Sequence, residues 1–220
     1  MISSYFNTPQ QLYSFGWQGG EPLLMGYKFF KQAVELQKKY GRPGLRAANG
    51  VQTNGTLITE DLARLFRDYH FLLGVSIDGP EEVHNKYRLD LGEKGTFSKV
   101  MEGVELLRKH RVEFNILVLV SASNVERGRE VYRFLVENGF YYHQYIPCVE
   151  FDEKGNLLPY SINGKQWGKF LSDIFDEWYP NDTHRISIRH VDSVMEHLIR
   201  GTYNVCTMGG ICNQYYVVEH

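Results

Sequence analysis

Cysteine, excess charge and long apolar runs are all scarce in this 220-residue chain, and each scarcity excludes a class of protein. Only three cysteines occur, too few and odd in number for a disulfide framework, which favours a reducing compartment. The formal net charge is −2 without any long Lys/Arg run, so the electrostatic signature of nucleic-acid binding is missing. No apolar stretch reaches about 18 residues, and no basic region followed by an apolar one opens the chain. We therefore expect a cytoplasmic protein that binds neither nucleic acid nor membrane.

Several familiar catalytic signatures are also missing, while apolar and aromatic residues are abundant. The sequence contains no GxSxG, Walker A or HExxH motif. Hydrophobic residues make up 43% of the chain, including fifteen Tyr and thirteen Phe. That content predicts one sizeable core and one domain, with room for an appendage.

Strand-like and helix-like segments alternate along the first two thirds of the chain, which predicts βαβ units and a parallel sheet. The predicted strands are residues 12–18, 45–52, 71–77, 113–120 and 140–146, and the predicted helices between them are 27–40, 59–69, 97–110 and 126–138. Periodicity alone leaves a barrel and an open sheet equally possible. In both architectures ligands bind at the carboxyl ends of the strands.

The most informative motif, residues 17–22, follows the first predicted strand. Gly19 and Gly20 allow a ligand to approach the backbone closely because neither residue has a Cβ atom. Glu21 can accept hydrogen bonds from an ammonium group, and Pro22 favours an abrupt exit from the strand. An amino-acid-like cation is therefore a reasonable guest. The same four residues also fit a plain strand-to-helix turn.

A second group of polar residues follows the third predicted strand. Ser76 could hydrogen-bond a carboxylate or a ribose, and Asp78 begins a tight turn with Gly79. Arg88 could pair with a carboxylate through its planar fork. A simple turn and a solvated arginine are the alternatives for these residues.

The pattern changes after residue 148, where helices are predicted at 164–178 and 191–200. Cys206 and Cys212 then flank a pair of glycines at a loop-like metal-ligand spacing. Two thiolates supply half of a tetrahedral or iron–sulfur site, and two unpaired cysteines remain the alternative. Cys148 ends a core strand and is a poor candidate for a third ligand. His190 and His197 lie seven residues apart, a spacing that fits one helix face, and we assign them no metal.

Together and in order, these motifs resemble the radical S-adenosylmethionine (SAM, or AdoMet) enzymes, and among them the anaerobic sulfatase-maturating enzymes. The resemblance spans nearly the whole chain. It rests on residues 15–22, 52–55, 75–80, 84, 87–88, 95–97, 112–115, 145–150, 167–168 and 206–212. The Gly-Gly-Glu-Pro motif indicates only the superfamily, whereas the later segments point to the maturases.

The resemblance implies an α/β fold, a partial (β/α)6 TIM-like barrel, followed by a cysteine-rich SPASM-type domain that holds auxiliary [4Fe-4S] clusters. It divides the chain into a radical SAM barrel (1–150), a helical connection packing on the barrel (151–201) and the start of the SPASM domain (202–220). The first barrel strand is expected to be missing from the chain.

The implied activity is oxidation of a Cys or Ser in a sulfatase to Cα-formylglycine. In the family a reduced [4Fe-4S] cluster cleaves SAM to a 5′-deoxyadenosyl radical, which removes a hydrogen from the target Cβ. The implied cofactors are SAM and [4Fe-4S] clusters. The implied partners are a sulfatase polypeptide and an electron donor such as ferredoxin or flavodoxin.

The resemblance also assigns roles to individual residues of this chain. Six of them would contact SAM: Gly19, Gly20 and Glu21 at its amino group, Ser76 and Arg88 on its carboxylate and ribose side, and Ile146 at its adenine. Gln18 would reach the substrate and SAM. Cys206 and Cys212 would be two of the four ligands of one auxiliary cluster.

Two departures from the family pattern suggest a central fragment of a longer protein. The CxxxCxxC motif for the SAM-cleaving cluster, expected before Leu12, does not occur, and neither does its strand. Further cysteines, and the Asp that would serve as general base, are expected beyond His220. We therefore expect this polypeptide to be inactive alone. The alternatives are another SPASM peptide-modifying enzyme, for example a thioether-forming one, a non-catalytic SAM- or peptide-binding module, and an unrelated metabolite-binding α/β barrel.

Overall fold

The computed structural model describes residues 1–203, 205, 208, 209, 217 and 218, and there six parallel strands alternate with helices. The strands are β1 (Leu12–Trp17), β2 (Arg46–Thr53), β3 (Leu72–Ser76), β4 (Glu113–Val120), β5 (Tyr142–Pro147) and β6 (Ser187–Ile188). The helices are α1 (Ile2–Phe6), α2 (Gly26–Tyr40), α3 (Glu60–Asp68), α4 (Glu81–His84), α5 (Phe97–His110), α6 (Gly128–Glu137), α7 (Gly164–Trp178) and α8 (Arg189–Arg200). A 3₁₀ helix, Pro22–Met25, joins β1 to α2.

The order of the strands in the sheet follows their order in the chain, from β1 to β6. Every neighbouring pair is parallel, as in the pairings Trp17 with Val51 and Ser76 with Leu117. Because parallel connections are right-handed, an order that never reverses places the crossover helices on one face of the sheet. A doubly wound sheet would reverse its order at a switch point. The strand order therefore decides between a barrel and an open doubly wound sheet, which periodicity alone could not distinguish. The predicted partial-barrel α/β fold is confirmed.

The main hydrophobic core lies between the sheet and this helical layer. Val51, Leu73 and Val118 point into it from three strands, and Phe66 and Phe170 meet them from α3 and α7. Burying an aliphatic or aromatic side chain of this size contributes about 1.5–3 kcal/mol. A smaller cluster forms where α1 covers β1. The core therefore fixes the strands from one side only.

On β2 and β3 the opposite face of the sheet carries mainly small and polar residues, most of them at least partly exposed. Gly50, Gln52, Gly74 and Ser76 occupy this face on β2 and β3, because side chains alternate along a strand. At its lower edge Leu72 is 50% exposed. This face leads directly to the carboxyl ends of the strands, where the site described below lies.

The sequence located the long elements well and missed the short ones. The helices predicted at 97–110 and 164–178 have the same bounds in the structure. The sequence prediction had no α1, α4 or β6, since segments of two to five residues are too short to show a period. β6 pairs with β5 through Tyr142 and His143. None of the described helices is long and apolar enough to cross a membrane.

The start of α7 provides a test of how this helix is stabilised. Asn163 Oδ1 accepts from the Gln166 amide and Gln166 Oε1 accepts from the Asn163 amide, both at 3.0 Å, which forms a capping box. The Asn163→Ala variant should lower the free energy of unfolding by about 1 kcal/mol, measured by urea denaturation. Asn163→Asp keeps the acceptor and should stay close to wild type. An alanine variant as stable as wild type would show that the cap contributes nothing.

Candidate functional site

A cavity of about 270 Å³ opens at the carboxyl ends of β1, β2 and β3. Nine residues line it, from these three strand ends, the middle of β4 and one loop: Gln18, Gly19, Gly20, Gln52, Thr53, Asn54, Ser76, Arg88 and Leu117. Five of them, Gln18, Gly19, Gly20, Ser76 and Arg88, are site residues predicted from the sequence. The parallel sheet brings them together because the carboxyl ends of neighbouring strands meet at one edge.

The glycine turn after β1 exposes its backbone to this cavity. Gly19 and Gly20 have φ angles of +114° and +51°, a region that residues with a Cβ atom rarely adopt. A Cβ atom added at either position would meet nothing within 4 Å, so the space above the turn is open. A ligand can therefore reach the main-chain polar groups of the turn directly.

Glu21 anchors the glycine turn to the end of β2. Its Oε1 accepts from the Leu23 amide at 2.9 Å and from Thr53 Oγ1 at 2.7 Å, and its Oε2 accepts from the Asn54 amide at 2.7 Å. These three bonds hold the carboxylate beside the cavity and join two strand ends. The role of Glu21 as an acceptor for a ligand ammonium group stays a prediction.

Arg88 reaches the cavity from the loop after α4 and is held by Asp78. Its Nε donates to Asp78 Oδ2 at 2.5 Å and its Nη2 donates to Asp78 Oδ1 at 3.1 Å. The Asp78 side chain is only 8% exposed and that of Arg88 is 23% exposed. From the sequence alone, the planar fork of Arg88 is expected to pair with a ligand carboxylate. In the structure two of its three nitrogens bind a protein carboxylate, and Nη1 is the one left for a ligand.

A buried polar network supports the turn that carries Asp78. The Asp78 amide donates to His84 Nδ1 at 3.4 Å, and His84 Nε2 lies 3.1 Å from Thr96 Oγ1. His84 is fully buried, and burial lowers its pKa to about 4, so the imidazole is neutral at physiological pH. With Nδ1 as the acceptor, the proton of the neutral ring lies on Nε2 and is donated to Thr96. Thr96 Oγ1 in turn donates to the Arg88 carbonyl at 2.9 Å.

Two further contacts tie this turn to β4. Asp78 Oδ1 accepts from the Leu119 amide at 2.9 Å, and the Asp78 carbonyl accepts from Asn124 Nδ2 at 2.9 Å. Asn124 is fully buried and also donates to the Leu119 carbonyl. Side chain and main chain of Asp78 are therefore both fixed, and Arg88 is positioned with them.

Ile146, the predicted adenine contact, lies on β5 opposite Leu119 of β4. It is half-buried and occupies the open face of the sheet, because its neighbour Tyr145 packs against Phe170 on the helical side. It is two strands away from Ser76 and is not part of the wall of the 270 Å³ cavity. A ligand that touched both would have to extend across β4.

The cysteines contribute no metal centre among the described residues. Cys148 is buried at the end of β5, and burial raises the pKa of its thiol, which disfavours the thiolate that a metal needs. Cys206 and Cys212 lie outside the described residues, so their predicted ligand role stays a prediction. In the described part of the chain no three His, Cys, Asp or Glu side chains are grouped to hold a metal ion.

Several residues of the site received no role from the sequence. Gln52 and Thr53 belong to a motif quoted above, yet only their strand-end position could have indicated that they face a cavity. Asn54, in the same motif, received no role either. Asp78 was interpreted as part of a turn, and nothing local in the sequence predicts that it would capture Arg88.

A larger cavity, of about 760 Å³, lies at the opposite, amino ends of β3 to β6. Its lining includes Glu113, Tyr142 and Arg189 but no glycine turn after a strand. Ligands of parallel α/β barrels bind at the carboxyl ends of the strands, not at the amino ends. The smaller cavity, where the predicted residues converge, is therefore the candidate site.

The chain is similar in sequence to several known proteins. A family model described as the radical SAM superfamily matches residues 6–135. The cysteine-type anaerobic sulfatase-maturating enzyme of Clostridium perfringens (strain 13 / Type A) is 40% identical over 223 residues, covering 100% of this chain. The serine-type enzyme of Bacteroides thetaiotaomicron is 39% identical over 236 residues, covering 99% of this chain. The chain spans 60% and 56% of the lengths of these two relatives.

Solved structures of a maturase resemble the fold closely. Native anSMEcpe with bound AdoMet superposes with a TM-score of 0.93 at 38% identity, covering 99% of this chain and 60% of that one. Native anSMEcpe with bound AdoMet and the Cp18Cys peptide gives a TM-score of 0.88 at 39% identity, covering 93% and 58%. Both of these anSMEcpe structures contain bound AdoMet.

Proposed function

The chain belongs to the radical SAM superfamily, and we propose that it is the SAM-binding portion of an anaerobic sulfatase-maturating enzyme. The complete enzyme would oxidise a Cys or Ser of a sulfatase to Cα-formylglycine. The observation that carries the proposal is the cavity at the ends of β1 to β3, where an exposed glycine turn, a serine and a fixed arginine converge. The Cys-type and Ser-type maturases among the relatives support the same activity.

The cavity suits the amino-acid end of SAM. Main-chain groups of Gly19 and Gly20 would bind its amino group, and Glu21 would hold that turn in place. Ser76 and the Nη1 group of Arg88 would bind its carboxylate and ribose side. Each of these groups would donate to an acceptor of SAM or accept from a donor of SAM. The fit to the methionyl part rests on their convergence in one open cavity.

The remaining roles follow from the same proposal. Ile146 would contact the adenine from the open face of β5, and Gln18 would reach from β1 toward the substrate and SAM. SAM beside a reduced iron–sulfur cluster supplies the hydrogen-atom abstraction that the oxidation requires. Cys206 and Cys212 would be two ligands of one auxiliary cluster. We propose the same division as above, with the barrel in 1–150, a helical connection in 151–201 and the start of the SPASM domain in 202–220.

The proposed setting follows from the activity of the complete enzyme. Its partners would be a sulfatase polypeptide as substrate and a low-potential electron donor such as ferredoxin or flavodoxin. Both the reducing chemistry and the scarcity of cysteine support a cytoplasmic location.

The test is equilibrium binding of SAM to this chain by titration calorimetry, with ATP as a ligand that shares only the adenosine part. SAM should bind and ATP should not. The Glu21→Ala variant releases the glycine turn from β2 and should weaken SAM binding by about tenfold or more. Glu102→Gln, at an exposed position on α5, is the matched control and should bind like wild type.

The enzymatic part of the proposal is tested in the full-length protein that carries this chain. After anaerobic reconstitution it should convert the target residue of a sulfatase peptide to formylglycine, detected by mass spectrometry. A chain that binds SAM in a full-length protein that leaves sulfatase peptides unchanged would identify a different radical SAM activity. A wild-type chain without measurable SAM binding would refute the proposal altogether.

A further inference from the structure

Arg88 is the only described cation on the wall of the candidate cavity, and its guanidinium group is not free to move. Asp78 receives two hydrogen bonds from it in the fork geometry that carboxylates and guanidinium groups favour. The pair joins residues ten positions apart across α4 and lies just above the end of β3. The direction of Arg88 is therefore set by Asp78.

Asp78 itself is held more tightly than a surface ion pair requires. Its Oδ1 also accepts from the Leu119 amide, and its main chain bonds to His84 and Asn124, both fully buried. The path through His84 and Thr96 returns to the Arg88 carbonyl. Backbone and side chain of Arg88 are thus fixed by the same network, from two directions.

The nitrogens of the Arg88 guanidinium group have two different roles. Nε and Nη2 face Asp78, and Nη1 is the nitrogen not used by that pair. Ser76, two residues before Asp78, lines the same cavity, so its hydroxyl at the end of β3 and Arg88 from the loop after α4 border one space. Such a pair of donors suits a carboxylate, which has acceptor positions on two oxygens.

We propose that Asp78 is a positioning residue for the recognition of the ligand's α-carboxylate, acting through Arg88. The inference rests on the proposed function, because it takes SAM as the ligand. Asp78 does not touch the ligand. It holds the guanidinium group of Arg88 so that Nη1 faces the cavity. Ligand binding then avoids the entropic cost of ordering a free arginine side chain.

If only the charge of Asp78 mattered, removing it should change SAM affinity in the opposite direction, so a binding measurement distinguishes the two explanations. Asp78 neutralises Arg88, so removing the negative charge should strengthen the attraction between Arg88 and the ligand's carboxylate if only the charge of this pair mattered. Removing the positioning instead weakens binding, because Asn offers a single acceptor oxygen and its NH₂ group cannot accept from the guanidinium. The sign of the change therefore distinguishes the two effects.

The experiment compares SAM with decarboxylated SAM, which keeps the sulfonium, ribose and adenine but has no carboxylate. Binding of both ligands is measured by calorimetry for wild type, Asp78→Asn, Arg88→Gln and the double variant. Asp78→Asn should weaken SAM binding about tenfold and change decarboxylated SAM less than about twofold. In the Arg88→Gln background the added Asp78→Asn change should have little further effect on SAM, since Asp78 acts through Arg88.

The matched control is Asp90→Asn, which removes a carboxylate from another ion pair of the same loop, the one with Lys99. It should leave both affinities unchanged. Thermal unfolding checks that each variant is folded. If Asp78→Asn does not fold, Arg88→Lys replaces it, because Lys keeps the charge but has no bidentate fork and should show the same selective loss.

Three outcomes would overturn the inference. Unchanged or tighter SAM binding by Asp78→Asn would mean that charge, not positioning, governs the site. Equal losses for SAM and decarboxylated SAM would mean that Asp78 only supports the fold. Absence of SAM binding in wild type would remove the proposed function together with the inference, whereas wild-type binding with an insensitive Asp78→Asn variant removes the inference alone.

Discussion

Acidification from about pH 7 to about pH 5 should lower the free energy of unfolding by about 4 kcal/mol through two buried histidines, about 2 kcal/mol each. Burial lowers the pKa of His84 to about 4, against a smaller upward effect of Asp78 and a downward one of Arg88. Burial likewise lowers the pKa of His143 to about 4, although its bond to the Phe140 carbonyl opposes the shift. In the unfolded chain both rings take up a proton near pH 6.5.

The sign follows from which state binds the proton first. Between the unfolded pKa and the folded one, the unfolded chain carries more protons, so stability falls as the pH falls. The loss is therefore complete only near pH 4 and absent above about pH 7. Most carboxylates titrate below this window, so the histidines dominate it. His190, whose pKa burial also lowers, adds a contribution in the same direction.

The measurement is urea unfolding across this pH range for wild type and His143→Gln. The Gln side chain can donate to the Phe140 carbonyl and accept from Tyr145 OH, as His143 does, but it does not titrate. The variant should therefore lose about 2 kcal/mol less than wild type between pH 7 and pH 5. His184→Gln, at an exposed position, should reproduce the wild-type profile. Identical pH profiles for wild type and His143→Gln would disprove the assignment.

The same substitution at two helical glycines should have opposite effects on stability. In α5 a Cβ atom on Gly103 would lie 2.6 Å from the Gly55 carbonyl oxygen and 3.1 Å from Ile58 Cδ1. The Gly55 backbone cannot yield easily, because Gly55 has a φ of +78° and its amide donates to Thr53 Oγ1. Gly103→Ala should therefore cost about 2 kcal/mol, measured by urea denaturation.

Gly168→Ala in α7 is the matched control. A Cβ atom there meets nothing within 4 Å, and alanine has the higher helix propensity, so this variant should gain up to about 1 kcal/mol. Gly103→Ala should also weaken SAM binding, because the displaced loop carries Asn54, which donates to Glu21. Equal stability changes for the two variants would show that the close approach of α5 to the Gly55 loop is not what matters.

Much of the fold could be predicted because long elements carry their own period. The apolar spacing of Phe97–His110 and the continuous apolar run within Glu113–Val120 each indicate one element type. β6 has only two residues, and it exists because β5 offers it hydrogen-bond partners at Tyr142 and His143. A strand of two residues has no periodicity of its own, so the local sequence pattern could not predict β6.

The site divides in the same way between local and long-range causes. The glycine turn at Gly19 and Gly20 was predictable, since only glycine tolerates such φ angles and the turn directly follows a strand. The partners of Glu21 were not, because Thr53 and Asn54 lie more than thirty residues away and reach it only through the pairing of β1 with β2. Strand register, not sequence distance, brought them together.

The sequence by itself determined the alternation of strands and helices, the glycine turn and the superfamily, because each depends on residues that are neighbours in the chain. Only the tertiary structure decided that the sheet winds in one direction and that Asp78 takes two of the three nitrogens of Arg88. The reason is physical. A carboxylate excluded from water needs a cation as its partner. Which cation it pairs with depends on how β3, α4 and β4 pack, and no short segment of the sequence specifies that packing.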